Sequence, residues 1–127
     1  MKKILDKNDQ KAYLLSKIGS TVIFRYPEPP YVLKGKLVDR YAISLGYGDE
    51  WVDYWMIIDL IRFEGEAEDW IRITYYRYKK KEMRWVFAGQ TALAIPISGF
   101  QELFVKAIKE KEWMKDLFKG IMNKISL

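Results

Sequence analysis

Hydrophobic and polar positions alternate most densely between Trp51 and Ile95, and the rest of the chain is arranged around that stretch. Trp51 to Phe63 is rich in β-branched and aromatic residues and lies between Gly48-Asp49 and Glu64-Gly65-Glu66, the pattern of a long strand. Taken two residues at a time, Trp51, Asp53, Trp55, Ile57, Asp59, Ile61 and Phe63 share one face, and Val52, Tyr54, Met56, Ile58, Leu60 and Arg62 share the other. Both sets are mostly apolar, which predicts a central strand. Trp70 to Lys79 divides differently: Ile71, Ile73 and Tyr75 are expected to point inward, leaving Trp70, Arg72, Thr74, Tyr76 and Tyr78 as an outer aromatic and cationic face. After a turn in Lys80-Lys81-Glu82, Met83 to Ala88 and Thr91 to Ile95 read as a third segment, with a bulge or bend at Gly89.

Upstream, Asn8 to Ile18 predicts a short helix with Ala12, Leu15 and Ile18 on its apolar side and Gly19 as its stop. Ser20 to Tyr26 reads as the first strand. Pro27-Glu28-Pro29-Pro30 then forbids regular pairing and gives a stiff, extended connection. Tyr31 to Leu45 is long for one strand, and Gly35 is where it is expected to bend. Tyr31, Leu33, Leu37, Asp39, Tyr41 and Ile43 are assigned to the core, and Val32, Lys34, Lys36, Val38, Arg40 and Ser44 to solvent.

The chain closes on an amphipathic helical stretch from Ser98 to Ile125, with Ser98 as N-cap and Gln101 at the capping-box position. Its apolar residues, among them Phe100, Leu103, Phe104, Ala107, Ile108, Met114, Leu117, Phe118, Ile121, Met122 and Ile125, recur at three and four residues. Unbroken, it would run roughly 40 Å at 1.5 Å per residue, more than a domain of this size easily covers. Lys111 falls in the middle of the apolar stripe, which leaves two readings: a break there with the tail folding back as a second helix, or a projecting segment that packs on another subunit with Trp113 at the contact.

At 127 residues the chain is expected to form a single domain with a core of its own, comprising the helix at 8–18, an antiparallel sheet over 20–96 and a helix or helix pair over 98–125. Half of its residues are hydrophobic and 31% are charged, which is a globular composition. Cysteine and histidine are both absent, and their absence removes disulfides, thiolate and Ser-His nucleophiles, and nearly every zinc site. Lys and Arg number 22 against 17 Asp and Glu, so the basic net charge of +5 favours acidic partners without requiring one. The apolar run of a leader never develops after Met1, and Asp59 and Arg62 interrupt the most hydrophobic region, so a cytoplasmic protein with no membrane span is expected. Abundant Lys, Glu and Ile with few Asn and Gln would suit a heat-adapted source.

Three clusters carry candidate chemistry. Arg72, Tyr76, Tyr78, Lys79, Lys80, Lys81, Arg84 and Trp85 set aromatic planes beside cations, a mixture able to hold single-stranded nucleic acid by stacking and charge; ordinary exposed strands carry the same residues. Asp39 and Asp59 stand among apolar neighbours; brought together they would form an acid/base pair or an oxygen site for Mg²⁺, and apart each would pair with an arginine such as Arg40, Arg62, Arg72 or Arg77. Tyr47, Asp49, Glu50, Trp51, Asp53, Tyr54 and Trp55 combine rings and carboxylates that suit a cation, or else core aromatics beside a solvated turn. No phosphate loop, dinucleotide fingerprint or nucleophile elbow is present.

The layout predicts an α+β domain: a short N-terminal helix, a strongly bent antiparallel sheet or small barrel, and the long amphipathic C-terminal helix. In layout alone it is similar to SH3-like barrels, with a pleckstrin-homology-like sandwich as the alternative. The expected function is non-enzymatic and needs no cofactor or metal. It is a protein-interaction or assembly module, self-associating or partner-binding through Trp113, Met114, Leu117, Phe118, Ile121 and Met122. Nucleic-acid binding by the basic aromatic strand is the alternative, and a carboxylate enzyme using Asp39 and Asp59 the third.

Overall fold

A strongly curled antiparallel sheet dominates the computed structural model, which describes residues 3–26, 31–88 and 94–125. The Pro27–Pro30 connection, the bend at Gly89 and the segment from Thr91 to Leu93 lie outside the described residues. The elements are α1 (Lys7–Leu15), β1 (Thr21–Tyr26), β2 (Tyr31–Ile43), β3 (Gly48–Asp49), β4 (Val52–Phe63), β5 (Trp70–Lys79), β6 (Arg84–Phe87), α2 (Ile97–Glu110) and α3 (Glu112–Ile125). The fold class is therefore α+β, a half-barrel preceded by a short helix and followed by C-terminal helices. The chain divides into two compact units, one over residues 1–93 and one over 94–127.

In the first unit the strand order is β1-β2-β4-β5-β6, with the short β3 paired on β4. The expected central strand is central: β4 pairs with β2 along one edge and β5 along the other. Met56, Ile57, Ile58 and Ile61 are almost wholly buried, as a strand apolar on both sides requires. Gly35 pairs with Phe63, and a Cβ there would run into the backbone carbonyl of Arg62. Only glycine allows β2 and β4 to approach so closely.

The assignment of β2's faces needs correction beyond Leu37, although Tyr41 is buried as expected. Leu33 and Leu37 are buried and Val32, Lys34 and Lys36 exposed, as alternation predicts. The register then slips: Leu37 opposes Ile61, but Asp39 opposes Leu60 and Arg40 opposes Asp59. Val38 is the extra residue of a β-bulge, and one inserted residue exchanges the faces of everything after it. Arg40, expected in solvent, is 2% exposed and lies on the same face as Leu37.

The β5 reading is also reversed. Directly opposed residues on paired strands share a face. Ile61↔Trp70, Asp59↔Arg72, Ile57↔Thr74, Trp55↔Tyr76 and Asp53↔Tyr78 therefore place β5's aromatic and cationic set on the inner face of the half-barrel, where Thr74 and Tyr78 are buried. Ile71 and Ile73, expected inside, are about 40% exposed. Alternation sorts the residues into two sets without saying which faces the core, and the charge pair between β4 and β5 reverses the choice hydrophobicity favours.

Two contiguous clusters fill the inner face. One joins Val22, Leu33, Leu37, Ile61 and Phe63, with Phe24 and Trp70 against them. The other joins Ala42, Trp55 and Ile57 to Leu14 of α1, with Tyr76 and Trp85 against them. Helix α1 starts at Asp6, whose carboxylate accepts from the Asp9 N–H as an N-cap should. It buries Gln10 and Leu14, an i,i+4 pair, rather than the expected Ala12, Leu15 and Ile18 stripe. Gln10 explains the shift. Its amide donates to Asp53 Oδ2 at 2.9 Å and to the Leu5 carbonyl at 2.9 Å, and accepts from Trp55 Nε1 at 2.8 Å, so a polar side chain marks the buried side.

The second unit is a helical hairpin. Lys111 is extended, with φ −114° and ψ 122°, and caps the end of α2. Its carbonyl accepts from the Met114 and Lys115 amides and starts α3 afresh. The C-terminal stretch is thus two helices of 14 residues, broken at the lysine that interrupts the stripe. Phe104 of α2 and Phe118 of α3 meet with ring centroids 5.6 Å apart. Pro96, not Ser98, occupies the N-cap, and no side chain caps the helix. Proline's fixed φ starts the helix at Ile97, so Ser98 is already inside the first turn.

Candidate functional site

Two places stand out, the exposed side of α3 and the floor of the half-barrel. On α3, Leu117, Ile121, Met122 and Ile125 are 37–52% exposed. Phe118, Met122 and Ile108 line a shallow apolar depression together with Lys115 and Lys119. Of the residues expected to form an interface, Leu117, Ile121 and Met122 are open, Trp113 and Phe118 are half-buried, and Met114 is fully buried and offers a partner nothing. Ile125, which that set omits, continues the open row.

On the floor of the half-barrel, Asp59 is inaccessible to solvent and gathers two guanidinium groups. Arg40 donates from Nε to Asp59 Oδ1 at 2.7 Å and from Nη2 to Oδ2 at 3.1 Å, a bidentate fork. Its Nη1 donates to the Leu14 carbonyl at 3.0 Å and ties the strand to α1. Arg72 comes from β5 and donates from Nε and Nη2 to Asp59 Oδ2, at 3.2 and 2.8 Å. Burial works to lower the pKa of Arg40, but the bonds and charge of Asp59, with Tyr76 beside them, outweigh it and hold Arg40 above its ordinary value. Arg40 lies over the Tyr76 ring at 5.3 Å, and Arg72 over Phe24 and Phe87 at 5.6 and 5.2 Å.

This geometry disperses each candidate cluster read from the sequence. Asp39 opposes Leu60 and so lies on the other face of the sheet from Asp59, and the two carboxylates form no pair. Asp59 instead takes the arginine partners the sequence offered as its other reading. Among the described residues no group of acidic side chains could hold a metal ion. Within the basic aromatic cluster, Tyr78 is 1% exposed and its hydroxyl accepts from the Leu5 amide, while Arg72 and Tyr76 face the interior. Lys79 and Lys80 are half-buried, and Lys80 lies 3.4 Å from Asp53 and donates to the Glu50 carbonyl. Lys81 and Arg84 are exposed. The acidic aromatic cluster divides as well. Asp49 accepts from the Trp51 amide within its own turn, Asp53 and Trp55 are buried on the inner face, and Lys81 already lies over the Trp51 ring at 4.6 Å.

The sequence offers Arg40 and Arg72 among four possible partners but assigns Arg40 to solvent, because Arg40 reaches the interior only through the bulge at Val38, which no residue in β2 announces. A signal did exist in Asp59, a carboxylate amid an apolar strand, which demands a partner. No helix among the described residues is long and apolar enough to cross a membrane. Comparison with known protein families, with curated proteins and with solved structures finds no match to this chain.

Proposed function

We propose that this protein is a non-enzymatic assembly module that self-associates through α3. The observation that carries the reading is the open row of Leu117, Ile121, Met122 and Ile125, four large apolar side chains adjoining one another at helical spacing. A second copy is the favoured occupant because an isologous contact between two such stripes would bury apolar surface on both sides at once. Lys115 and Lys119 flank the depression, so their aliphatic stems can cover its edge while their charges stay in water. Stacking of nucleic acid on β5 finds little support, because Tyr78 is buried and Arg72 and Tyr76 belong to the interior.

The test is molar mass by light scattering across a range of concentrations, for the natural chain and for Leu117→Asp with Ile121→Asp. Both positions are open, so the charges disturb an interface rather than the hairpin, whereas Phe118→Asp would break the ring contact with Phe104. The expected result is a dimer or larger that becomes a monomer of unchanged helical circular dichroism. A natural chain that stays monomeric at every concentration, or a doubly charged variant that still assembles, would overturn the proposal.

A further inference from the structure

Two cations meet one anion on the floor of the half-barrel. Among the described residues Asp59 is the sole carboxylate in an ion pair with Arg40 or with Arg72. Their charges leave one positive charge over, in a place with little water: the side chains are 2% exposed for Arg40, 15% for Arg72 and 0% for Asp59. Arg40 is held on both ends of its fork and by the Leu14 carbonyl. The surplus therefore belongs to Arg72, the more accessible of the two, which directs both of its bonds at a single oxygen of Asp59.

A cavity of about 330 Å³ adjoins these groups. Its lining includes Tyr13, Lys17, Arg40, Arg72, Tyr76, Trp85 and Phe87, so among the described residues it holds three cations and no carboxylate. The aromatic wall is continuous: Tyr13 stacks on Trp85 at 5.3 Å, and Tyr76 touches both Trp85 and Phe87. The indole N–H of Trp85 is buried with no acceptor among the described residues. A buried charge that shares its one counter-charge with a second cation is costly, and an anionic ligand group at Arg72 would offset that cost. Pockets for small molecules begin at about 300 Å³, so the cavity suits a compact ligand.

We propose that this cavity binds a small aromatic carboxylate, one or two fused rings carrying a single negative charge. The carboxylate neutralises Arg72, with Lys17 nearby, and the rings lie along the wall of Tyr13, Trp85 and Phe87. Such a ligand supplies the missing charge without disturbing the Arg40–Asp59 fork. It stands independently of assembly through α3, since every lining residue belongs to the first unit.

The experiment is isothermal titration of the full chain with 1-naphthoate, with neutral 1-naphthamide and with inorganic phosphate. Naphthoate is expected to bind about tenfold or more tighter than naphthamide, and phosphate more weakly than naphthoate, because charge and ring both contribute. Arg72→Gln removes the surplus charge and leaves Asp59 paired with Arg40, so the preference for naphthoate over naphthamide should fall to about onefold while naphthamide binding persists. Should Arg72→Gln fail to fold, Phe87→Ala at the exposed edge of the sheet is the second variant, and it should weaken both naphthyl probes together. Equal binding of naphthoate and naphthamide, no naphthoate binding below about millimolar, or a preference that survives Arg72→Gln would overturn the proposal. So would Phe87→Ala binding both probes as the natural chain does.

Discussion

Replacing Asp59 by Asn should be among the most damaging single changes in the half-barrel. The carboxylate accepts four hydrogen bonds from two guanidinium groups and is wholly inaccessible to solvent. Charge-assisted bonds contribute about 1.5–3 kcal/mol each, so a simple sum would reach ~6–12 kcal/mol. That sum overstates the loss. Asn keeps one acceptor oxygen, and Arg72, 15% exposed, can turn partly to water. Arg40 at 2% exposure cannot, and the dominant cost is its uncompensated buried charge, about 3–5 kcal/mol. With a urea dependence of about 1–3 kcal/mol per molar, the unfolding midpoint should fall by about 2 M. The assay is urea denaturation followed by tryptophan fluorescence, with Arg72→Met measured beside it. Arg72→Met leaves a neutral Arg40–Asp59 pair and should cost clearly less. Replacing all three together, as Arg40→Met, Asp59→Leu and Arg72→Met, should recover most of the loss, because a buried ion triad exchanged for apolar side chains of similar volume is often neutral or better. A midpoint shift under about 0.5 M for Asp59→Asn, or a larger loss for Arg72→Met, would refute this account of the charge cluster.

Gln10→Ala strips the acceptor from the buried Trp55 Nε1 and a donor from Asp53, and should cost about 2–6 kcal/mol in a thermal melt, at about 1–3 kcal/mol per unsatisfied group. Gly35→Ala forces a methyl group onto the Arg62 carbonyl and should lower stability by at least about 1–3 kcal/mol, measured by the same melt. Asp69 is held below the usual carboxylate range by hydrogen bonds from Arg62, which together with the Arg62 charge outweigh the opposing effect of burial. Its folded value lies below its unfolded one, so its contribution is complete above the usual carboxylate range and disappears as pH falls through the lowered value. Melting temperatures of Asp69→Asn and the natural chain should therefore differ slightly at neutral pH and low salt and converge in acid; a gap that persists in acid would contradict the pairing.

Sequence periodicity alone determines the elements. Strand β4 announces itself as central because both of its alternating sets are apolar, and the C-terminal helices because their stripe recurs at three and four residues. Lys111 is visible as a flaw in that stripe, and the chain breaks there because a charged side chain cannot be carried along a buried seam. What periodicity leaves open is which alternate set points inward. One bulge at Val38 exchanges the faces of β2, brings Arg40 into the core and sets it against Asp59. The pairing of Asp59 with Arg72 in turn brings β5's aromatic and cationic set to the inside and leaves Ile71 and Ile73 half open. These are long-range choices among strand registers, settled by where a buried carboxylate finds its counter-charges. That partner is distant in sequence, so only the folded sheet decides it, and with it the cavity beside Arg72.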